Sequence, residues 1–350
     1  MQFEIAGVQF NLSENEPFVS EEFDRLSLEF FDRSNGDPAL HDRYYNNLAW
    51  LINRFFQREL WHKAEMYWSR ILRPALEWEA KNPGRFIHKG TPYYFWGMAS
   101  ISRGELDMGY LLMHQALQED IRTHNNERPN TPAFAFATFD FTKIDQAFRI
   151  WPEYQARFLE QFLQVYRQSY AKTLSIEDFR NRFLVSSSNL DTIFLFAYSL
   201  GRLFLFGRVP GYAKQSIFTS QIESNMLFDV LLVVDAAIKV HNPNQRYFRE
   251  HALFLSGQAN LGLNPQKLQE INQSFNTDPN LSIVGDILDG VFRFSDGAPL
   301  TGLASDVALS YGLRNYGAHN IASVLVVRQR FDQIQQSLFN VLFLAVDELY

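Results

Sequence analysis

Arg314, Asn315 and His319, near the end of the chain, are residue types that can cleave RNA without a metal ion. The guanidinium group of Arg is permanently charged and planar, so it can hold two phosphate oxygens at once. His titrates near neutral pH and can pass a proton to or from a reacting hydroxyl. The amide of Asn can orient either group through a hydrogen bond. We therefore assign Arg314 as a candidate phosphate clamp, Asn315 as an orienting group and His319 as a proton-transfer group.

The spacing of these residues sets a condition on the backbone. Five residues along an ideal helix turn the side chain by about 140°, so Arg314 and His319 would not share a face of an unbroken helix. Asn315 and His319, four residues apart, would share one. Gly317 offers a place where the helix can end or bend. A two-fold axis is a second solution, since each subunit could supply what the other lacks.

A purely structural role is the competing interpretation. A His near a helix end often caps carbonyls or packs in the core, and an Arg often pairs with a neighbouring carboxylate. A second pair with the same spacing, Arg246 and His251, occurs in the segment QRYFREH. There Tyr247 follows the Arg in place of an amide, and the closing apolar helix is missing. We expect no catalytic role for this second pair.

The segment RNYGAHN resembles the motif of the HEPN domain, an all-helical family whose ribonuclease members carry an Arg, a polar residue, a few variable positions and a His. Two long helices precede the segment and an apolar helix closes the chain, so the resemblance covers roughly residues 216–350. Arg314, Asn315 and His319 are the matching positions. The resemblance implies a homodimer whose two motifs form one RNA-cleaving site, with products ending in a 2′,3′-cyclic phosphate. It also implies a setting in toxin–antitoxin or phage-defence systems.

Two features depart from what the resemblance implies. HEPN toxins that a partner nucleotidyltransferase neutralises have a Tyr two positions after the His, whereas Ile321 stands there in this chain. From residue 186 onward, 11 basic and 14 acidic residues give a net charge of −3, which does not favour broad RNA binding. The alternative function is a non-catalytic HEPN dimer that serves as a scaffold or sensor.

Composition excludes several other kinds of chemistry. The chain has no Cys, which removes disulfides, thiolate zinc sites, iron–sulfur clusters and Cys nucleophiles. Its eight His form no metal-ligand pattern, and neither GxxxxGK[ST] nor GxSxG occurs. The net charge of −7 provides no overall basic field for nucleic acid or an anionic membrane. We therefore expect a cytoplasmic protein that uses neither a metal nor a cofactor.

The N-terminal part of the chain contains two similar helix pairs. Helical periodicity predicts one pair near residues 48–72 and another at residues 93–120. The pairs align at a spacing of 45 residues, which matches Ile52 with Gly97 and Ala64 with Gly109. Closely packing positions 12 residues apart are loosely similar to the tetratricopeptide hairpin, although that family repeats every 34 residues. We expect this region to bind a protein partner or to restrain the nuclease.

An aromatic run follows the break RPNTP at residues 128–132. Its members are Phe134, Phe136, Phe139 and Phe141. One interpretation is a platform on which nucleic-acid bases stack. We favour the other, an extended segment whose rings cover a helix groove, because no Lys or Arg is interleaved in the run.

The predicted fold is all-α, with a helical-hairpin region at residues 1–185 and a HEPN-like bundle at residues 186–350. The polar tract Ser186–Asn189 marks the boundary and begins a long apolar helix. That helix contains Asp191 and Arg202, which are costly inside hydrocarbon, so we expect no membrane span.

Three charged residues, Asp229, Asp235 and Lys239, interrupt the apolar pattern of the next long helix. Burying unpaired charge is expensive, so the sequence leaves two arrangements open. The charges could line one cleft with Arg314, or they could form the exposed edge of the helix.

Overall fold

Helices make up most of the chain. The structure is a computed structural model that describes residues 1–12, 20–123, 131–185, 190–209, 216–317, 320 and 324–350. Helix accounts for 73% of the structure. The described strands, β1 (Gln2–Ile5) and β2 (Val8–Asn11), form a single antiparallel hairpin. The predicted all-α class is confirmed. His319, Ile321 and the tract Ser186–Asn189 lie outside the described residues.

The chain divides into two compact units, Met1–Glu153 and Tyr154–Tyr350. The sequence placed this division later, between residues 185 and 186. The helices between the two positions contribute aromatic rings to the second unit: Phe162 stacks on Phe339 with ring centroids 4.3 Å apart, and Phe179 meets Phe343 at 5.6 Å. Helical periodicity predicts which face is buried but not which partner covers it, so it could not assign these helices to a unit.

The first unit consists of the β-hairpin and the helices that follow it. These are α1 (Glu21–Ser34), α2 (Pro38–Gln57), α3 (Trp61–Lys81), α4 (Gly90–Ser102), α5 (Leu106–Thr123) and α6 (Pro132–Ala137). The next helix, α7 (Ile150–Tyr170), starts just before the division. Ser20 caps α1 by accepting the backbone N–H of Phe23, and Asp37 caps α2 by accepting that of Ala39.

The two predicted helix pairs correspond to α2–α3 and α4–α5. In the second pair the helices cross at two glycines: a Cβ on Gly97 would lie 2.9 Å from the carbonyl oxygen of Gly109, closer than packed atoms tolerate. The matching residues of the first pair, Ile52 and Ala64, are both fully buried. The small residues therefore mark the contact between α4 and α5, as the 45-residue alignment predicted.

The aromatic run forms a short helix, α6, and the turn after it. Thr131 accepts the backbone N–H of Phe134, and Pro132 occupies the first helical turn, which together start a helix where we expected an extended segment. Phe136 and Phe139 are buried. Those two rings therefore pack in the core and offer no open face to a nucleic-acid base.

The second unit is a bundle around the last helix of the chain. Its helices after α7 are α8 (Ile176–Phe179), α9 (Leu190–Gly207), α10 (Ile217–Lys239), α11 (Phe248–Gln258), α12 (Pro265–Thr277), α13 (Ser282–Leu288), α14 (Leu303–Tyr316), α15 (Leu325–Gln329) and α16 (Phe331–Leu349). Helix α16 packs against α10 and α14, and α14 also packs against α11 and α12. The apolar face of α16 is buried, including Ile334, Leu338 and Leu342.

Helix α9 has the length and apolar composition of a membrane-spanning helix, and no other described helix does. Half of it is buried inside the protein, as in a core helix. Its Arg202 pairs with Asp229 of α10 at 2.5 Å. A single helix of this kind is weak evidence for a membrane span.

Candidate functional site

Helix α14 carries two of the three predicted catalytic residues in its last turn. It ends at Tyr316, and Gly317 follows with φ +92°, a backbone conformation that favours glycine. The predicted break of the helix at Gly317 is therefore confirmed. His319 comes after this break and lies outside the residues that the structure describes.

Arg314 and Asn315 point to different neighbours. Nη2 of Arg314 lies 3.9 Å from Oδ2 of Asp235, and its Cζ lies 6.0 Å from the ring centroid of Phe228; both neighbours are on α10. Asn315 is exposed, and its Nδ2 is 3.4 Å from Oδ1 of Asn272 on α12. The side chain of Arg314 is 34% exposed, so part of the guanidinium remains open to solvent, while Nε is buried and has no hydrogen-bond partner within the described part of the chain.

Asp235 also joins Arg314 to His251, for which we expected no catalytic role. Its second oxygen, Oδ1, accepts a hydrogen bond from Nδ1 of His251 on α11 at 2.6 Å. The three helices α10, α11 and α14 thus bring a guanidinium, a carboxylate and an imidazole together. We call Arg314, Asp235 and His251 the Arg–Asp–His cluster.

The contact with Asp235 orients the ring of His251. When Nδ1 of a neutral ring donates to Asp235, Nε2 carries the lone pair, as in the His of a general-base site. Nε2 is buried and has no hydrogen-bond partner among the described residues, and the whole residue is only 1% exposed. The ring is therefore oriented for proton transfer, but a substrate could reach it only if the surrounding side chains moved.

The sequence left two arrangements open for the charged residues of α10: a cleft shared with Arg314, or an exposed helix edge. The structure shows both of them, for different residues. Asp235 is 23% exposed and neighbours Arg314, as in the first arrangement. Lys239 is exposed, as in the second. Asp229 belongs to neither, because it pairs with Arg202. Arg246 is exposed, so it does not share the burial of His251.

The sequence paired His251 with Arg246 and predicted no catalytic role for it, so its contact with Asp235 was not foreseen. Two signals were present in the sequence: a carboxylate in the apolar run of α10 and a His on the buried face of the next helix. Each needs a polar partner when buried. Pairing them with each other would have pointed to this contact.

Chemically, the Arg–Asp–His cluster can hold an anion and move a proton. A phosphate oxygen would compete with Asp235 for the open part of the Arg314 guanidinium. No group of three or more His, Asp or Glu side chains is arranged to hold a metal ion in the part of the chain that the structure describes.

Comparisons with known proteins found no match: no family model, no curated protein and no solved structure is similar to this chain.

Proposed function

We propose that the C-terminal unit is a metal-independent endoribonuclease of HEPN type that acts as a homodimer. In this proposal Arg314 binds the scissile phosphate, His319 transfers the proton, and Asn315 orients one of these groups. Arg314 would also stabilise the charge that develops at phosphorus. RNA is the substrate, and no cofactor takes part.

The observation that carries the proposal is the end of α14 at Gly317. A continuous helix would have turned residue 319 about 140° away from Arg314. The break at Gly317 removes that obstacle, and it follows directly after the partly exposed Arg314 and the exposed Asn315. Asp235 adds support, because it holds the guanidinium in place without covering all of it.

The N-terminal unit would supply regulation. Its helical hairpins are suited to binding a protein partner, which could restrain the nuclease until a trigger arrives. This arrangement fits a cytoplasmic effector of a toxin–antitoxin or phage-defence system.

Cleavage of labelled RNA in excess chelator tests the proposal. The full-length protein would be compared with Arg314→Ala, Asn315→Ala and His319→Ala. We expect chelator-resistant cleavage with 2′,3′-cyclic phosphate ends, and a loss of about a hundredfold or more in the Arg314 and His319 variants.

Arg246→Ala is the matched control, because it removes an exposed Arg that also precedes a His by five residues. We expect it to cleave as well as the unchanged protein. Equal trace cleavage by all variants would refute the nuclease proposal. A protein that stays monomeric at the assay concentration would refute the dimeric site.

A non-catalytic scaffold or sensor is the second candidate, and the contacts within the Arg–Asp–His cluster favour it. Arg314 contacts Asp235 and Phe228, and His251 is almost fully enclosed, as expected of groups that hold three helices together. This candidate predicts that Arg314→Ala lowers thermal stability while the preparation shows no nuclease activity to lose. The same variants and the same two measurements therefore separate the candidates.

A further inference from the structure

A polar cavity of about 440 Å³ opens in the second unit, between α7, α13, α14 and α16. Its volume is in the range of small-molecule sites. Hydroxyl and amide side chains form much of its wall, among them Ser169, Thr301, Ser305, Gln333 and Gln336. The cavity is distinct from the Arg–Asp–His cluster, none of whose residues lines it.

Asp306 lines this cavity, and it is the one formally charged residue among the described residues of the wall. Asp306 is only 5% exposed. Oδ2 accepts hydrogen bonds from Tyr170 Oη at 2.6 Å and from Asn340 Nδ2 at 2.9 Å, and Oδ1 accepts one from the hydroxyl of Ser337. These donors come from α7 and α16, so three helices converge on one carboxylate.

All three partners of Asp306 are neutral. Among the described residues no Lys, Arg or His forms an ion pair with it, although buried carboxylates are usually matched by a cation. A carboxylate has about four acceptor positions, and the three donors leave one of them, on Oδ1, open. The site therefore has an unmatched negative charge and a free acceptor beside an open volume.

We propose that this cavity binds a small organic cation with a primary ammonium group, which pairs with Asp306, and with hydroxyl or amide groups that bond to the polar wall. The proposal is independent of the nuclease proposal. It assigns Asp306 as the specificity-determining residue and Gln333, Gln336 and Ser305 as contacts to the neutral part of the ligand.

An ammonium group fits better than the other classes of charged ligand. A calcium or magnesium ion requires about six or more oxygen ligands. The part of the wall that the structure describes offers one carboxylate, that of Asp306, and its amide neighbour Asn340 presents N–H toward it. An anion would meet the negative carboxylate directly. An ammonium group supplies donors to the open position on Oδ1 and to the surrounding carbonyl and hydroxyl oxygens.

Isothermal titration calorimetry with paired probes tests this inference on the full-length protein. Glucosamine and ethanolamine are the amine probes, and glucose and ethylene glycol are their neutral counterparts. We expect saturable binding of at least one amine and none of its neutral counterpart. In Asp306→Asn, which keeps the size of the side chain, the amine should bind about tenfold or more weakly.

Two further variants keep the test falsifiable. Gln333→Trp would fill the exposed rim of the cavity without touching the carboxylate, and it should also abolish binding. Asp332→Asn changes the charge of an exposed neighbour outside the cavity and should leave binding unchanged. The proposal is overturned if neither amine binds saturably, if Asp306→Asn binds as tightly as the unchanged protein, or if glucose and glucosamine bind equally.

Discussion

The ring of Phe275 on α12 packs directly against Gly312 on α14. A Cβ on Gly312 would lie 2.1 Å from Cε2 of this ring, far inside the contact distance of two carbon atoms. Phe275 is fully buried, so its ring has no room to move away. This contact fixes α14 against α12 two residues before Arg314, and it thereby sets where the guanidinium lies.

We predict that Gly312→Ala destabilises the protein by about 1–3 kcal/mol, because the added methyl group overpacks a closed contact. The better helix propensity of Ala offsets this by at most about 1 kcal/mol. Urea denaturation followed by circular dichroism measures the change. Gly257→Ala is the control, since it lies in helix α11 with nothing within 4 Å of the new Cβ and should be neutral or slightly stabilising. Equal stabilisation by both substitutions would contradict the contact described above.

The crossing of α4 and α5 gives a second prediction. A Cβ on Gly97 would lie 2.9 Å from a backbone oxygen of Gly109, and one on Gly109 would lie 3.0 Å from the backbone nitrogen of Ile101. Backbone atoms cannot rotate away as a side chain can, so Gly97→Ala and Gly109→Ala should each cost about 1–3 kcal/mol. Gly207→Ala, at the open end of α9, is the control. Equal denaturation midpoints for Gly97→Ala, Gly109→Ala and the control Gly207→Ala would contradict this prediction, because they would show that α4 and α5 move apart at no cost in stability.

Patterns that depend on neighbours along the chain were predictable from the sequence. The 45-residue alignment identified Gly97 and Gly109, and the glycine at residue 317 indicated where α14 ends. Both follow from local rules, namely the space that a missing side chain leaves and the left-handed backbone that glycine adopts. The apolar stripe of α16 likewise follows from its periodicity.

Contacts between distant segments were not predictable in the same way. Asp235 and His251 lie on consecutive helices, and Arg314 joins them from a helix some sixty residues later. Sequence spacing carries no information on how α10, α11 and α14 pack, because several packings would bury the same stripes. Asp306 was overlooked for this reason too: its three donors come from α7 and α16.

A double-mutant cycle should detect the contact between Asp235 and His251. Asp235→Ala leaves a buried imidazole N–H without an acceptor, which we expect to cost about 1–3 kcal/mol in the free energy of unfolding at pH 7. In His251→Ala the donor is gone, so adding Asp235→Ala should cost much less. The resulting coupling energy should be about 1–3 kcal/mol, measured by urea denaturation of the four proteins.

The pair of Arg314 and Asp235 provides an internal comparison for this cycle. Its atoms are 3.9 Å apart and the Arg side chain is 34% exposed, so its coupling energy should stay below about 1 kcal/mol. Additive effects of Asp235→Ala and His251→Ala would show that the 2.6 Å contact contributes nothing to stability.

Asp306 makes the stability of the second unit depend on pH. Burial raises the pKa of its carboxyl group to about 6, although the hydrogen bonds from Ser337, Tyr170 and Asn340 act in the opposite direction. In the unfolded chain the pKa of this carboxyl group is about 3.9. Between these two values the folded protein binds more protons than the unfolded one, so the contribution of Asp306 to stability is present in full below about pH 4 and is lost as the pH rises through about 6. Two pH units correspond to about 3 kcal/mol.

Asp306→Asn should remove this dependence, since the amide does not titrate. Tyr170 is the other titratable group at the carboxylate, and burial raises its pKa above the ordinary value, so it stays neutral throughout this range. We expect the free energy of unfolding of Asp306→Asn, relative to the unchanged protein, to improve by about 2 kcal/mol between pH 4 and pH 7. Urea denaturation at several pH values measures the difference, with the exposed Asp332→Asn as the control that should run parallel to the unchanged protein. If the free energy of unfolding of Asp306→Asn also ran parallel to that of the unchanged protein, the prediction would be wrong. The carboxyl group would then have the same pKa in the folded and unfolded protein, and burying its charge would not destabilise the fold.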